Sequence, residues 1–154
     1  RYARAAYDIR LTNRAGQSAS LPELMDMDVN TALPFCADRK TVSQKLQVLQ
    51  QLGLGYLTLG EETPSLSGGE AQRLMLARAV CSKPDMLLVD EPTAQLDTRT
   101  AHSVSHVLNN LSGQGMIVLV ATHDPDTRDA CDRVLDLADY APGGSKSQEP
   151  ELEE

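Results

Sequence analysis

The sequence predicts an α/β domain in which helices flank a parallel sheet, preceded by a mostly helical segment. Three observations predict it. Residues 86–89 (Met-Leu-Leu-Val) and 116–120 (Met-Ile-Val-Leu-Val) are continuous apolar runs, as strands covered on both faces of a parallel sheet would be. Between them, Ala101, Val104, Leu108 and Leu111 form one stripe of an amphipathic helix over residues 98–111. A short helix over 126–131 and a third strand over 134–137 would complete a strand–helix–strand–helix–strand order.

The N-terminal elements are shorter. Residues 6–11 alternate between apolar and polar, which suggests a half-buried strand. A polar stretch with Asn13 and Gly16 as turn residues follows. Residues 22–27, opened by Pro22, and 29–36 read as two short helices. Val42, Leu46, Leu49 and Leu52 give helical spacing over 41–52, and Gly53 is a natural stop. Residues 53–60 read as a strand or extended connector. After Arg73 the stretch 68–82 is almost wholly apolar, which predicts a buried helix ending before Pro84. This divides the chain into an N-terminal segment 1–60, a core half 61–142 and an acidic tail 143–154 whose Gly/Ser/Glu/Pro content predicts disorder.

Composition limits the function classes. Of 154 residues 41% are hydrophobic and 3% aromatic, so the core must be built from Leu, Val, Ala and Met. No apolar run approaches the roughly 20 residues that span a bilayer, and no export signal is visible, so a cytoplasmic, membrane-free setting is expected. Cys36, Cys81 and Cys131 lie far apart, which supports neither a disulfide framework nor a zinc site. The net charge of -8 is unevenly spread: residues 1–60 hold seven Lys/Arg against five Asp/Glu, whereas 61–142 hold six against thirteen. Any contact with nucleic-acid phosphates is therefore expected in the first 60 residues, with Arg10, Arg14, Arg39 and Lys40 as candidates beside a plain solvated face. The missing initial Met suggests a piece of a longer protein.

Four motifs carry the chemistry. Leu66-Ser67-Gly68-Gly69-Glu70 opens a predicted helix, whose free N–H groups and dipole favour an anion, and glycine lets the backbone approach a phosphate. The strand 86–89 runs into Asp90 and Glu91, at the sheet edge where such folds bind ligands. One carboxylate there can hold Mg²⁺ and the next can orient or deprotonate a water. Ala94-Gln95-Leu96-Asp97 follows at once. The next strand ends in His123, whose imidazole can donate to a terminal phosphate. Each motif alone has an ordinary structural reading as a turn or strand end, and it is their order and spacing that single them out. His102 and His106 are four apart on the predicted helix, but no third metal ligand has suitable spacing. Arg78 and Lys83 read as charges complementing a helix end.

This set resembles the ABC ATPase family: signature motif, Walker B, D-loop and switch histidine. The resemblance implies an ABC-ATPase-type fold half, ATP and Mg²⁺ as cofactors, Asp90 on the metal, Glu91 as catalytic carboxylate and His123 as sensor of the γ-phosphate. It implies that Leu66, Ser67, Gly68, Gly69 and Glu70 face the nucleotide of another ABC module, in cis or in a homodimer, and that Asp97 lies between modules. Residues 45–76, KLQVLQQLGLGYLTLGEETPSLSGGEAQRLMLA less its final residue, are similar to the UvrA-family run into its second signature motif, and Leu24-Met25-Asp26-Met27-Asp28-Val29 is similar to its helix pair. Arg1-Tyr2 with Arg4 looks like the segment after that family's zinc module. The similarity covers residues 1 to about 138 and is strongest in LGLGYLTLG and LSGGEAQR.

That narrower resemblance implies the C-terminal part of a DNA-damage-recognition subunit in excinuclease ABC nucleotide excision repair. DNA and a UvrB-like helicase subunit would be partners, and zinc would belong to the parent protein alone. Three features depart from it, one being that the Gly-rich run after the last strand is reduced to Gly143-Gly144. Gln95-Leu96-Asp97 and Thr122-His123-Asp124 are closer to transporter forms, so a divergent paralogue, an ABC transporter's nucleotide-binding subunit and a non-catalytic ABC-like fragment stand as alternatives. No GxxxxGK[ST] loop occurs in the 154 residues, so the isolated chain is expected to bind ATP weakly and to hydrolyse it negligibly.

Overall fold

The structure, a computed structural model, describes residues 2–94 and 96–140. The predicted tail 143–154 and Gln95 lie outside the described residues.

A 3-10 turn over Arg4–Tyr7 leads into a small antiparallel hairpin, β1 (Arg10–Thr12) and β2 (Ser18–Ser20), with Leu11 opposite Ala19. The strand expected over 6–11 is thus a 3-10 turn followed by a three-residue strand displaced toward the C-terminus. The alternation that suggested it leaves Ile9 exposed rather than half-buried. The buried Asn13 side chain closes the hairpin, donating to Gln17 Oε1 at 2.8 Å and to the Phe35 carbonyl at 3.3 Å.

Helix starts follow from their capping residues. Ser20 caps α1 (Leu21–Asp26) in a reciprocal box with Glu23, and Asp28 caps α2 (Val29–Phe35) by accepting from the Thr31 amide. α3 (Lys40–Gln51) has no side-chain cap at its start, and it stops where Gly53 takes the left-handed φ of 72° that follows many helices. Ala19, Val29, Ala32, Phe35, Cys36 and Leu46 form one apolar cluster beneath these elements.

Residues 53–60 are turns rather than a strand. Their backbone is fixed to α1 and α2 by four hydrogen bonds: Gly60 to Met25, Leu59 to Met27, Val29 to Leu57 and Asn30 to Gly55, all between 2.8 and 3.0 Å. Gly55 lies close against the Asn30 side chain in this approach. A Cβ on Gly55 would lie 2.4 Å from Asn30 Oδ1, inside van der Waals contact. Gly55→Ala is therefore expected to break the Gln50–Asn30 hydrogen bond of 2.9 Å and to cost about 1 kcal/mol, near the net worth of one such bond. Thermal unfolding of Gly55→Ala and of Gly55→Ala/Asn30→Ala checks this, since shortening Asn30 should make the second change partly restorative.

α4 (Gly68–Cys81) and α5 (Thr98–Gly113) cover one face of a parallel pair, β3 (Met86–Asp90) and β4 (Ile117–Ala121). The register places Leu87 beside Val118 and Asp90 beside Ala121. Leu52, Leu76, Ala77, Val80, Leu87, Val104, Val107 and Leu108 make the second apolar cluster, against which Val89, Val118 and Val120 pack. The other face of the pair is open. Leu88 is 67% and Leu119 53% exposed, with Met86 and Ile117 exposed beside them in the register. The expected burial on both faces is corrected here: the apolar runs are real strands, yet among the described residues only one helical layer lies against them. α4 is likewise not wholly buried, since Met75 points to solvent.

α6 (Pro125–Asp129) follows β4, capped by Asp124. No third strand forms at 134–137. Val134, Leu135 and Leu137 are exposed, and Leu137 begins a 3-10 turn. A strand needs a neighbour for its N–H and C=O groups, and the described sheet has two members.

Candidate functional site

β3 ends in Asp90, and the chain turns sharply at Glu91, which adopts a left-handed φ of 45°. Non-glycine residues seldom hold this conformation unless their surroundings fix it. Here the surroundings do so from two sides. The Glu91 amide donates to the Ala121 carbonyl at 2.8 Å, and Gln72 Nε2 of α4 donates to the Glu91 carbonyl at 2.7 Å. The Glu91 carboxylate thereby reaches the end of β4. It accepts from His123 N at 3.1 Å and from Thr122 Oγ1 at 3.2 Å, and it pairs with His123 Nδ1 at 2.6 Å.

The His123 bond holds the Glu91 carboxyl below the ordinary glutamate range, and the same bond raises the imidazole above the ordinary histidine range. The histidine's contribution to the pair is complete below its unfolded value of about 6.5 and fades as pH rises through its raised folded value. The glutamate's contribution is complete above about 4.3 and fades as pH falls through its lowered value. The pair is fully charged between those limits. An NMR titration should place the His123 midpoint above about 6.5, and Glu91→Gln should bring it down. Because His123 is 88% exposed, water screens the pair and its effect on stability is small.

Asp90 is exposed at the strand end beside this pair. Among the described residues no group of three His, Cys, Asp or Glu gathers to hold a metal ion. The donor set nevertheless suits Mg²⁺, which commonly takes one or two carboxylates and completes its shell with phosphate oxygens and water.

The signature residues lie at the N-terminal end of α4, the end that also carries Gln72. Ser67 is exposed and caps the helix: its hydroxyl accepts from the Glu70 amide at 3.3 Å, while Glu70 Oε2 accepts from the Ser67 amide at 2.7 Å. That box uses the Ser67 and Glu70 amides. The Gly68 and Gly69 amides, in the first helical turn, have no carbonyl partner within the helix and lie at its positive end. Leu66 is half-buried just before the cap. Tyr56 donates a hydrogen bond to Glu70 and holds its carboxyl down to about 2, chiefly through that bond. Asp97 caps α5, and both its oxygens are engaged by Thr100, at 3.1 Å to the amide and 2.6 Å to the hydroxyl. Leu96 packs against the signature, where a Cβ on Gly69 would lie 3.0 Å from Leu96 Cδ2.

The structure thus brings Glu91, His123 and Asp90 to one sheet edge, and sets Ser67, Gly68 and Gly69 at the N-terminus of α4. Gln72, Thr122, Tyr56 and the buried Arg73 were given no role by sequence reasoning. Gln72 carried a signal, because it lies one helical turn from Gly69. Of the cations proposed for phosphate contact, Arg10 is paired with Glu23 at 3.1 Å and Arg39 with Asp38 at 2.7 Å.

Comparison with known proteins decides the family. The family model described as ABC transporter matches residues 8–94, more than half of the chain. The chain belongs to the ABC transporter family. Within it, this ABC module is of the UvrA type. It is 40% identical over 131 residues to the UvrABC system protein A of Mycoplasmopsis pulmonis, covering 83% of this chain and 14% of that protein. It is 34% identical over 140 residues to the UvrABC system protein A of Thermus thermophilus, covering 89% of this chain and 14% of that protein. The crystal structure of UvrA2 from Deinococcus radiodurans aligns with a TM-score of 0.66 and 29% identity, over 82% of this module and 15% of that chain. A dimeric ATP-binding cassette in a post-hydrolysis state bound to ADP and Pi aligns at 0.51 with 28% identity, over 64% of this module and 45% of that chain. The module spans about one seventh of the length of these UvrA relatives. No helix among the described residues is long and apolar enough to cross a membrane.

Proposed function

We propose that this ABC module forms part of an ATP-dependent DNA-damage-recognition subunit of the excinuclease ABC system, in which ATP is bound and hydrolysed at composite sites. The observation that carries it is the meeting of Glu91 and His123 beside Asp90 at the end of a parallel pair, in a chain that also offers a glycine-led helix start to solvent. In this reading Asp90 holds Mg²⁺ with the phosphates, Glu91 polarises the attacking water and His123 donates to the γ-phosphate. Ser67, Gly68 and Gly69 contact a nucleotide held mainly by another ABC module, and Asp97 lies between the two. When bound, Mg²⁺ neutralises phosphate charge. The protein groups orient water and phosphate around it. A GxxxxGK[ST] loop, absent from these 154 residues, supplies the main phosphate grip.

The domain use keeps the division at residue 60, although Leu52 of the first segment packs into the second apolar cluster. The segment up to residue 60 contains the cluster under α1–α3 and faces DNA; the rest carries the nucleotide groups. DNA, a second ABC module and a UvrB-like helicase subunit are its partners, in the cytoplasm. The transporter reading is favoured only by Asp97 and the Thr122-His123-Asp124 form. The identity to UvrABC system protein A over 131 and 140 residues supports the UvrA reading instead.

A chimera tests this proposal. The chain replaces the matching 140 residues of the Thermus thermophilus relative, which is to be checked for a P-loop ahead of the exchange and for cooperative unfolding afterwards. The chimera is expected to hydrolyse ATP and to change its rate with damaged DNA, while the 154-residue chain alone gives no turnover above background. A folded chimera without ATP turnover would overturn the reading, as would efficient hydrolysis by the chain alone.

A further inference from the structure

The turn at 53–60 has two sides, and each is fastened. On one side, four backbone hydrogen bonds tie Gly55, Leu57, Leu59 and Gly60 to α1 and α2. On the other, two side chains cross between the turn and α4, Tyr56 reaching the first turn of the helix and Arg73 of the helix reaching back. Arg73 is buried, 9% exposed, and spends its guanidinium on backbone carbonyls: Leu52 at 3.2 Å just before the turn, Gly53 at 3.5 Å in it, and Gly69 at 3.1 Å one turn back in its own helix. Gly53 permits this, since a Cβ there would lie 3.0 Å from Arg73 Nη1. Tyr56 is 57% exposed, so burial does not explain its place, yet its hydroxyl donates to Glu70. Glu70 in turn accepts from the Ser67 amide.

We propose that Tyr56 and Arg73 are positioning residues that lock the 53–60 turn to the start of α4, so that displacement of the α1–α2 layer moves the Ser67–Gly69 amides. This rests on the reading of those amides as phosphate contacts. Each link is a short polar contact. A movement of Met25 or Met27 is carried by the backbone ladder to Gly55–Gly60, and from there through the phenol and guanidinium to Glu70 and Gly69. The bonds favour Tyr and Arg for distinct reasons. The phenol offers one donor at the end of a rigid ring, and the guanidinium has enough donors in one plane to serve carbonyls on both elements. Tyr56→Phe keeps the ring but loses its donor, and Arg73→Lys keeps the charge but loses the planar fork that serves Gly69 and Leu52 at once. Glu70 sits at the junction: one oxygen serves the helix cap and the other the turn. Anything that pulls Tyr56 away therefore removes one of the two anchors of the capping carboxylate and leaves it held by the Ser67 amide alone.

Two measurements test it. The first uses the 154-residue chain. Asp28→Ala removes the α2 cap and is expected to shift the Ser67 and Glu70 amide resonances. In a Tyr56→Phe background that shift should shrink at least about twofold, the signature of an interrupted coupling. An undiminished shift overturns the proposal, and so does no shift in the original background. The second uses the chimera. Tyr56→Phe is expected to lower kcat by about tenfold with KM for ATP within about twofold, because the signature engages phosphate held elsewhere. Arg73→Lys should behave likewise. If the unaltered chimera hydrolyses ATP and Tyr56→Phe matches it, the locking role is wrong and the phosphate reading stands. If the folded, unaltered chimera hydrolyses no ATP, the phosphate reading is wrong, whatever the amide shifts show about the mechanical tie.

Discussion

Glu91→Gln in the chimera is expected to lower kcat by about 10²–10⁴-fold, the range for loss of a positioned general base. Nucleotide binding should stay within a few-fold, because a neutral amide of the same shape leaves the phosphate contacts in place. The structure gives the change an unusually clean character. The Glu91 backbone is fixed by Ala121 and Gln72, not by its carboxylate, so the left-handed turn survives the substitution. One amide oxygen can still accept from Thr122 or from the His123 amide. What is lost is the charge, and with it the short bond to His123 Nδ1. That bond occupies one carboxylate oxygen, so under the proposed function activation requires the imidazole to turn toward a phosphate and free that oxygen for water. Single-turnover kinetics with bound ATP separate the two steps. A fall in KM-limited binding with unchanged kcat would show that Glu91 serves ground-state contacts alone.

Leu52→Ala is expected to destabilise the chain by about 2–5 kcal/mol, the usual loss for a buried leucine that leaves a cavity. Leu52 is 0% exposed and belongs to the cluster under the β3–β4 pair, although it directly follows α3 in the N-terminal segment. Its carbonyl also receives Arg73. Removing the side chain therefore opens the core and loosens a carbonyl that anchors the turn. Small domains hold about 5–15 kcal/mol in total, so the loss approaches half of the margin. Urea unfolding of the chain and of Leu52→Ala measures it through the midpoint. A change below about 0.5 kcal/mol would mean that α3 folds apart from the sheet layer.

The element order of the C-terminal half was legible in the sequence because its signals are local. Ser67, Asp97 and Asp124 cap helices where such residues favour caps, and the apolar stripe of α5 is regular. The convergence of Glu91 and His123 was legible from spacing alone, since parallel neighbours bring successive strand ends together. What sequence could not show was non-local. A run such as Met-Leu-Leu-Val states that both faces of a strand are apolar, not that both have a covering layer. Residues 134–137 carry the composition of a strand, but pairing depends on a neighbour that composition does not reveal. The role of Tyr56 was hidden for the same reason. Its partner, Glu70, is 14 residues away across a turn whose path depends on Gly53 and Gly55.

The open side of the β3–β4 pair sets a practical condition on the molecule. Met86, Leu88, Ile117 and Leu119 form a water-facing oily strip, and β3 and β4 each have an outer edge with no strand pairing it among the described residues. Wetted hydrocarbon next to free strand edges promotes self-adhesion and sheet extension between copies. A polypeptide laid over that strip would therefore also act as a solubilising companion for the module.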